Sequence, residues 1–114
     1  MLKFVVVLYR KPGLSPEAFR DNLRNVHGPL AERIPGLRKY VQNHVVADPN
    51  RPHPGWDAVV ELSWDDGEAM EAAWKTPEGR RATEHLAEFA DLAKSRWSVV
   101  QEEVRRRASE RPEP

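Results

Sequence analysis

The 114-residue sequence contains no cysteine. That absence excludes disulfides, zinc ribbons, iron–sulfur clusters, thiolate haem ligation and cysteine nucleophiles together. Any metal would have to be held by histidine and carboxylate, and covalent catalysis would need an oxygen or nitrogen nucleophile. Net charge is missing as well, since 18 Lys and Arg balance 18 Asp and Glu. A neutral chain has no field to gather a nucleic acid or an anionic membrane, so neither is an expected partner. Long apolar runs are lacking too. The run at residues 4–9 is too short for a signal-sequence core, Arg10-Lys11 follows it without a cleavage site, and nothing approaches membrane-spanning length. The expected location is therefore the cytoplasm. No glycine-rich phosphate loop follows a strand, and no His-x-x-x-His pair or His/Glu cluster with close metal spacing appears. Nucleotide, flavin and metal sites are accordingly not expected.

What is present fits one globular domain. With 39% hydrophobic and 32% charged residues, the chain lacks the composition of a disordered one. Four tryptophans (Trp56, Trp64, Trp74 and Trp97) stand out. In so small a protein they are either large core side chains or the wall of an aromatic pocket or interface.

Periodicity and breakers divide the chain. Residues 3–9 read as a strand, and because both of its faces are apolar it should be central in a sheet. Ser15 as N-cap and Pro16 at the first helical position start a helix with the stripe Phe19, Leu23, Val26 and Leu30. His27 lies on the edge of that stripe, and Gly28-Pro29 should end or kink the helix. Residues 37–47 form a second strand, with Leu37, Lys39, Val41, Asn43 and Val45 on one face and Tyr40, Gln42, His44 and Val46 on the other. Three prolines make residues 48–55 an extended connection. A third strand covers residues 56–64, with Trp56, Ala58, Val60, Leu62 and Trp64 on one side. Asp65-Asp66-Gly67 opens a helix with Ala69, Met70, Ala73 and Trp74 inward, and Thr76-Pro77-Glu78 restarts it in a new direction. The stripe of that second piece is Ala82, Leu86, Phe89, Ala90 and Ala93, which leaves His85 one position off it and on the surface. Residues 96–103 give the last strand, so the domain occupies residues 1–103. Residues 104–114 form a charged, proline-containing tail.

The order βαββαβ is the α+β, ferredoxin-like pattern: a four-stranded antiparallel sheet with both helices on one face. The face without helices stays substantially apolar, through the aliphatics of the first strand and the tryptophans and aliphatics of the third. A second copy packed sheet against sheet would cover it, so a homodimer is expected.

Four segments carry a family resemblance. The run Phe4-Val5-Val6-Val7-Leu8-Tyr9-Arg10-Lys11-Pro12-Gly13-Leu14-Ser15 is followed by Phe19 and by His27-Gly28-Pro29-Leu30. Pro35-Gly36-Leu37-Arg38-Lys39-Tyr40-Val41-Gln42-Asn43 and Trp56-Asp57-Ala58-Val59-Val60-Glu61-Leu62 continue it. Their order and spacing, over roughly residues 2–103, resemble the EthD family. The resemblance implies a dimeric α+β barrel. Relatives of that barrel include muconolactone isomerases, cofactor-free quinol-forming monooxygenases, haem-degrading enzymes and fungal dehydratases, so the resemblance implies a fold more than a reaction.

His27, matching the family's His-Pro-Leu element, is the first candidate for acid–base chemistry. Near a helix C-terminus it could be held cationic by carbonyl ends, or it could simply cap them. Tyr40, Gln42 and His44 share a strand face, where they either line a partly wet cavity or show a polar side to water. Asn43 points inward only if a bulge intervenes. Asp57 either orients a histidine or pairs with Arg or Lys. His53, between two prolines, could close over a ligand or sit exposed in its loop. The expected catalytic set is thus His27, Tyr40 and His44, with Gln42, Asn43, His53, Trp56, Asp57 and Trp64 as substrate contacts and no cofactor. Two functions follow from it. One is a cofactor-independent enzyme of isomerase, dehydratase or monooxygenase type, acting on a small apolar ring or ketone. The other is a non-catalytic protein that binds a small hydrophobic metabolite. Haem handling, with His27 or His44 as axial ligand, is a third.

Overall fold

Strand β1 (Leu2–Leu8) alternates its side chains, and that alternation defines both faces of the sheet. Val6 and Leu8 are buried, with Leu2 and Phe4 packed against the same core. Val5 and Val7 turn to the opposite side. The structure is a computed structural model and describes residues 1–108. In it β1 pairs antiparallel with β3 (Ala58–Trp64) on one side and β4 (Arg96–Val100) on the other. Strand β2 (Lys39–His44) adds outside β3, giving the order β2-β3-β1-β4. The doubly apolar first strand is therefore central, as its pattern requires.

The helices all lie over the face that carries Val6, Val60 and Leu62. Ser15 accepts from the Ala18 N–H and Pro16 opens helix α1 (Pro16–Asp21). Gly28-Pro29 does not end the helix here. The chain widens into a π-helical turn (Asn22–His27), whose Gly28 N–H reaches the Leu23 carbonyl, and continues as α2 (Gly28–Ala31). The wider turn accommodates a proline ring that would strike the preceding carbonyl of a regular α-helix. It also rephases the helix. The buried positions become Phe19, Leu23, His27 and Ala31, each four residues after the last, while Val26 is half exposed. A 3.6-residue stripe places Val26 inward, and the π turn exchanges it for His27.

Asp66 caps α3 (Gly67–Trp74) and Thr76 caps α4 (Pro77–Leu86), each by accepting a backbone N–H of the first turn. Between the two helices, a Cβ at Gly79 would strike the Ala73 carbonyl oxygen. That close approach sets the sharp change of direction. The core clusters Leu8, Phe19, Leu23, Ala58, Trp64, Met70 and Phe89 between sheet and helices.

Several boundaries differ from the sequence reading. The second strand is shorter at both ends than residues 37–47, the third begins at Ala58, and the last ends at Val100. The Trp-bearing face of β3 lies under the helices, so tryptophan does not contribute to the open face. That face instead carries Val5, Val7, Val41 and Val59, around a polar cluster in which Lys3 bonds to Glu61 and Glu102 and Asn43 bonds to Glu61. Residues 101–108 contain no helix or strand. The rest of the expected tail, 109–114, lies outside the described residues.

Candidate functional site

A cavity of about 480 Å³ opens between the sheet and the helical layer. Its floor is Val6 and Leu8 of β1 with Val60 and Leu62 of β3, and Ala31, Ile34, Trp74 and Leu86 form its walls. Exposed Arg80, Thr83, Glu84, Leu92 and Trp97 ring the opening. Size and lining suit a small, mostly apolar molecule. Two polar side chains from the interior line it as well: His27 and Tyr40.

The π turn carries His27 into this space. Its Nδ1 lies 3.1 Å from Nδ1 of His85, and both rings pack against Phe89. Burial, with the neighbouring His85 as the smaller cause, holds the His27 pKa down at about 4. The ring is thus neutral near pH 7, and not the cation that helix carbonyls could have held. The desolvation of a ring that is 6% exposed outweighs the attraction of a helix end. Nor does Nδ1 cap that end, because it faces an imidazole. His85 is correspondingly not a surface residue; its side chain is 11% exposed, and Nε2 lies 3.7 Å from Glu88 Oε2. Its signal was present in the sequence: positions 82, 85, 86 and 89 have the spacing of one helix face.

Tyr40, Gln42 and His44 occupy the helix-facing side of β2, opposite Leu62, Val60 and Ala58. The Gln42 amide donates to the Leu23 carbonyl at 2.9 Å and to Tyr40 Oη at 2.8 Å. Gly28 makes room for it, since a Cβ there would stand 3.2 Å from Gln42 Nε2. Both amide protons are engaged, so the phenol accepts from Gln42 and its own proton is not used in that bond. Burial is the main cause that raises the Tyr40 pKa and keeps it a donor.

The other sequence candidates are not gathered with these. His44 is half-buried at the far end of β2, its pKa lowered by burial and then by Arg24 and Arg20. Asn43 faces the open side, for the β2–β3 register runs unbroken and no bulge turns it inward. Trp64 is fully buried, donates to the Pro35 carbonyl at 3.1 Å and packs on Trp74. Trp56 sits beyond the start of β3 and is 38% exposed. Asp57 takes the Arg10 N–H at 2.8 Å and its guanidinium at 3.1 Å, so its partner is an arginine and not a histidine. His53 accepts the Gly55 N–H at 3.0 Å and borders, with Asp57, Arg10 and Arg20, a second groove on another part of the surface. Among the described residues, no group of three or more His, Asp or Glu is placed to hold a metal.

A model of the EthD domain matches residues 11–93, which include His27, Tyr40 and His85. The chain belongs to the EthD family. An 11.0 kDa protein from the thcB–thcC intergenic region of Rhodococcus erythropolis is 27% identical over 86 residues, 75% of this chain and 82% of that protein. The crystal structure of an EthD-family protein from Bacillus halodurans is similar at 27% identity and a TM-score of 0.76, covering 90% of this EthD chain and 100% of that one. A dimeric ferredoxin-like protein from Bacteroides fragilis matches with 14% identity and a TM-score of 0.65, over 88% and 94% of the two chains. SnoaB from Streptomyces nogalater, described as a cofactor-independent oxygenase, matches with 14% identity and a TM-score of 0.62, over 90% and 93%. The last two likenesses extend to the fold, which is the ferredoxin-like protomer of α+β barrels.

Proposed function

We propose that this protein is a homodimeric, cofactor-independent enzyme that performs acid–base chemistry on a small apolar ring or ketone compound. One observation carries the reading: an apolar cavity lined by a buried, neutral imidazole, His27, and by a phenol, Tyr40, that retains a free proton. With a ketone in the cavity, the O–H of Tyr40 donates to the carbonyl oxygen. His27 removes a proton from the adjacent carbon, the C–H electron pair moves into the enolate, and Tyr40 stabilises the oxygen that gains charge. Returning the proton to another carbon completes an isomerisation, and expulsion of a β-hydroxyl as water, with that same proton, completes a dehydration. Molecular oxygen as co-substrate would intercept the same enolate, and the oxygenase SnoaB among the fold relatives supports keeping that branch. Imidazole and phenol are organic groups whose preorganisation in an apolar cavity supplies the catalysis.

The dimer rests on the open face. Val5, Val7, Val41 and Val59 form an apolar strip that no helix or strand of the described residues covers, and dimeric proteins of this fold support a homodimer.

Exchange of the α-protons of a cyclic ketone such as 2-tetralone into D2O, followed by NMR, tests the chemistry. The wild-type protein should accelerate exchange over buffer, and His27→Gln should lose roughly 100-fold or more of that acceleration while remaining folded. Ketone binding with no accelerated exchange would leave the binding-protein reading in its place.

A further inference from the structure

The catalytic reading leaves open which nitrogen of His27 carries its proton, and His85 and Glu88 have no part in it. The geometry between them decides the point. The His27 and His85 rings have an interplanar angle of 15° and centroids 5.3 Å apart. That separation is the 3.1 Å Nδ1–Nδ1 distance plus one ring radius on each side. The rings therefore meet edge to edge in nearly one plane, which is the arrangement of an N–H···N hydrogen bond and not of face-to-face stacking. Two facing nitrogens cannot both bear protons, nor both present lone pairs, so one donates and the other accepts.

The choice between the two falls to Glu88. Its carboxylate stands 3.7 Å from the far nitrogen of His85, Nε2, and favours a proton there. A neutral His85 with its proton on Nε2 presents a lone pair at Nδ1. His27 must then carry its own proton on Nδ1 and leave Nε2 bare for the cavity. We propose that His85, oriented by Glu88, is the positioning residue that fixes this tautomer of His27, so that the cavity presents a proton acceptor and takes ligands with a phenolic or enolic O–H or an activated C–H. This deepens the proposed function and rests on the cavity being its ligand site. The proton passes from the ligand oxygen or carbon to His27 Nε2, and the bonding pair stays on the ligand. His27 then donates its Nδ1–H to His85 as an imidazolium, a stronger hydrogen bond than the neutral one. Carboxylate, imidazole and imidazole thus form a chain from solvent to cavity along the α4 end. Among the described residues, the other titratable or charged groups lining the cavity beside this chain are Tyr40 from β2 and Arg80 and Glu84 from the rim.

Long-range proton–nitrogen NMR on the 15N-labelled protein at neutral pH reads the tautomers directly. His27 is expected with its proton on Nδ1 and His85 with its proton on Nε2. In His85→Phe, which keeps a ring against Phe89, the His27 proton should move to Nε2. Glu88→Ala, at a solvent-facing position, should shift the His27 population in the same direction and serves if the first variant does not fold. As a ligand readout, 2-naphthol should bind the wild-type protein about tenfold more tightly than 2-methoxynaphthalene, and His85→Phe should abolish that preference. A wild-type His27 protonated on Nε2, or a tautomer indifferent to His85→Phe and Glu88→Ala, overturns the proposal. Because tautomers are read without ligand, expected tautomers in a protein that binds neither naphthalene would leave the positioning role standing and remove the cavity as ligand site.

Discussion

Protonating His27 should destabilise the fold by an amount the structure allows to be worked out. In the unfolded chain the ring titrates at the ordinary 6.5, and in the folded protein at about 4. The folded value is the lower one, so as pH falls the unfolded state takes up the proton first. Stability from this group is complete above pH 6.5, declines as the pH falls and stops declining below about 4. Integrated between those pKa values, the loss is about 2 kcal/mol by pH 5 and about 3 kcal/mol by pH 4. Against a total of roughly 5–15 kcal/mol for a domain, that is a large share. The assay is urea unfolding of the wild-type protein and His27→Gln at pH 7.5, 6 and 5, at one protomer concentration so that any contribution from the proposed dimer is held constant. The carboxylates are common to both proteins, so the difference between the two curves reports His27 together with its hydrogen bond to His85. Relative to the variant, the wild type should lose about 2 kcal/mol between pH 7.5 and 5. Parallel pH profiles would refute the reasoning, since His27 would then titrate as a hydrated histidine and could not be buried as described.

Three further perturbations test other parts of the account. Asp57→Ala strands the Arg10 N–H and frees its guanidinium, and should cost roughly 1–3 kcal/mol in urea or thermal unfolding; an unchanged midpoint would show that water replaces the carboxylate. Gly79→Ala drives a methyl group into the Ala73 carbonyl and should lower stability by roughly 1–3 kcal/mol, an effect of space and not of backbone angle, so Gly79→Ser should cost at least as much. Val7→Lys places a charge at the centre of the open face and should yield monomers in sedimentation equilibrium; a dimer that persists would assign the interface elsewhere.

Much of this molecule is legible in its sequence because local chemistry and global packing agree there. Ser15-Pro16, Asp66 and Thr76-Pro77 mark helix starts whose capping bonds are present in the structure. The doubly apolar residues 4–8 identify a central strand, and the unbroken alternation of residues 39–44 puts Tyr40 and Gln42 on one face. The site was less legible for a specific reason. A regular 3.6-residue period directs Val26 inward, and only the π turn imposed before Pro29 brings His27 to the centre of the helical layer. Hydrogen-bonding pattern, not composition, decides that phase. His85 shares the helical spacing of Ala82, Leu86 and Phe89, but its polarity reads as surface until its partner across the layer is known. The tryptophans show the same limit. Trp74 and Trp97 border the cavity while Trp64 lies behind it and Trp56 stands away, and nothing in their spacing separates the two pairs.

The central claim is that the space beneath the helices, served by His27 and Tyr40, is where a ligand is held. A crystal structure of the protein grown with 2-naphthol tests it most directly. The account predicts the fused ring between Val60, Leu62 and Trp74, with its hydroxyl within hydrogen-bonding distance of His27 Nε2 or Tyr40 Oη. A ring seated instead in the groove beside Asp57 and His53, or a cavity closed by its own side chains with the naphthol excluded, would contradict it.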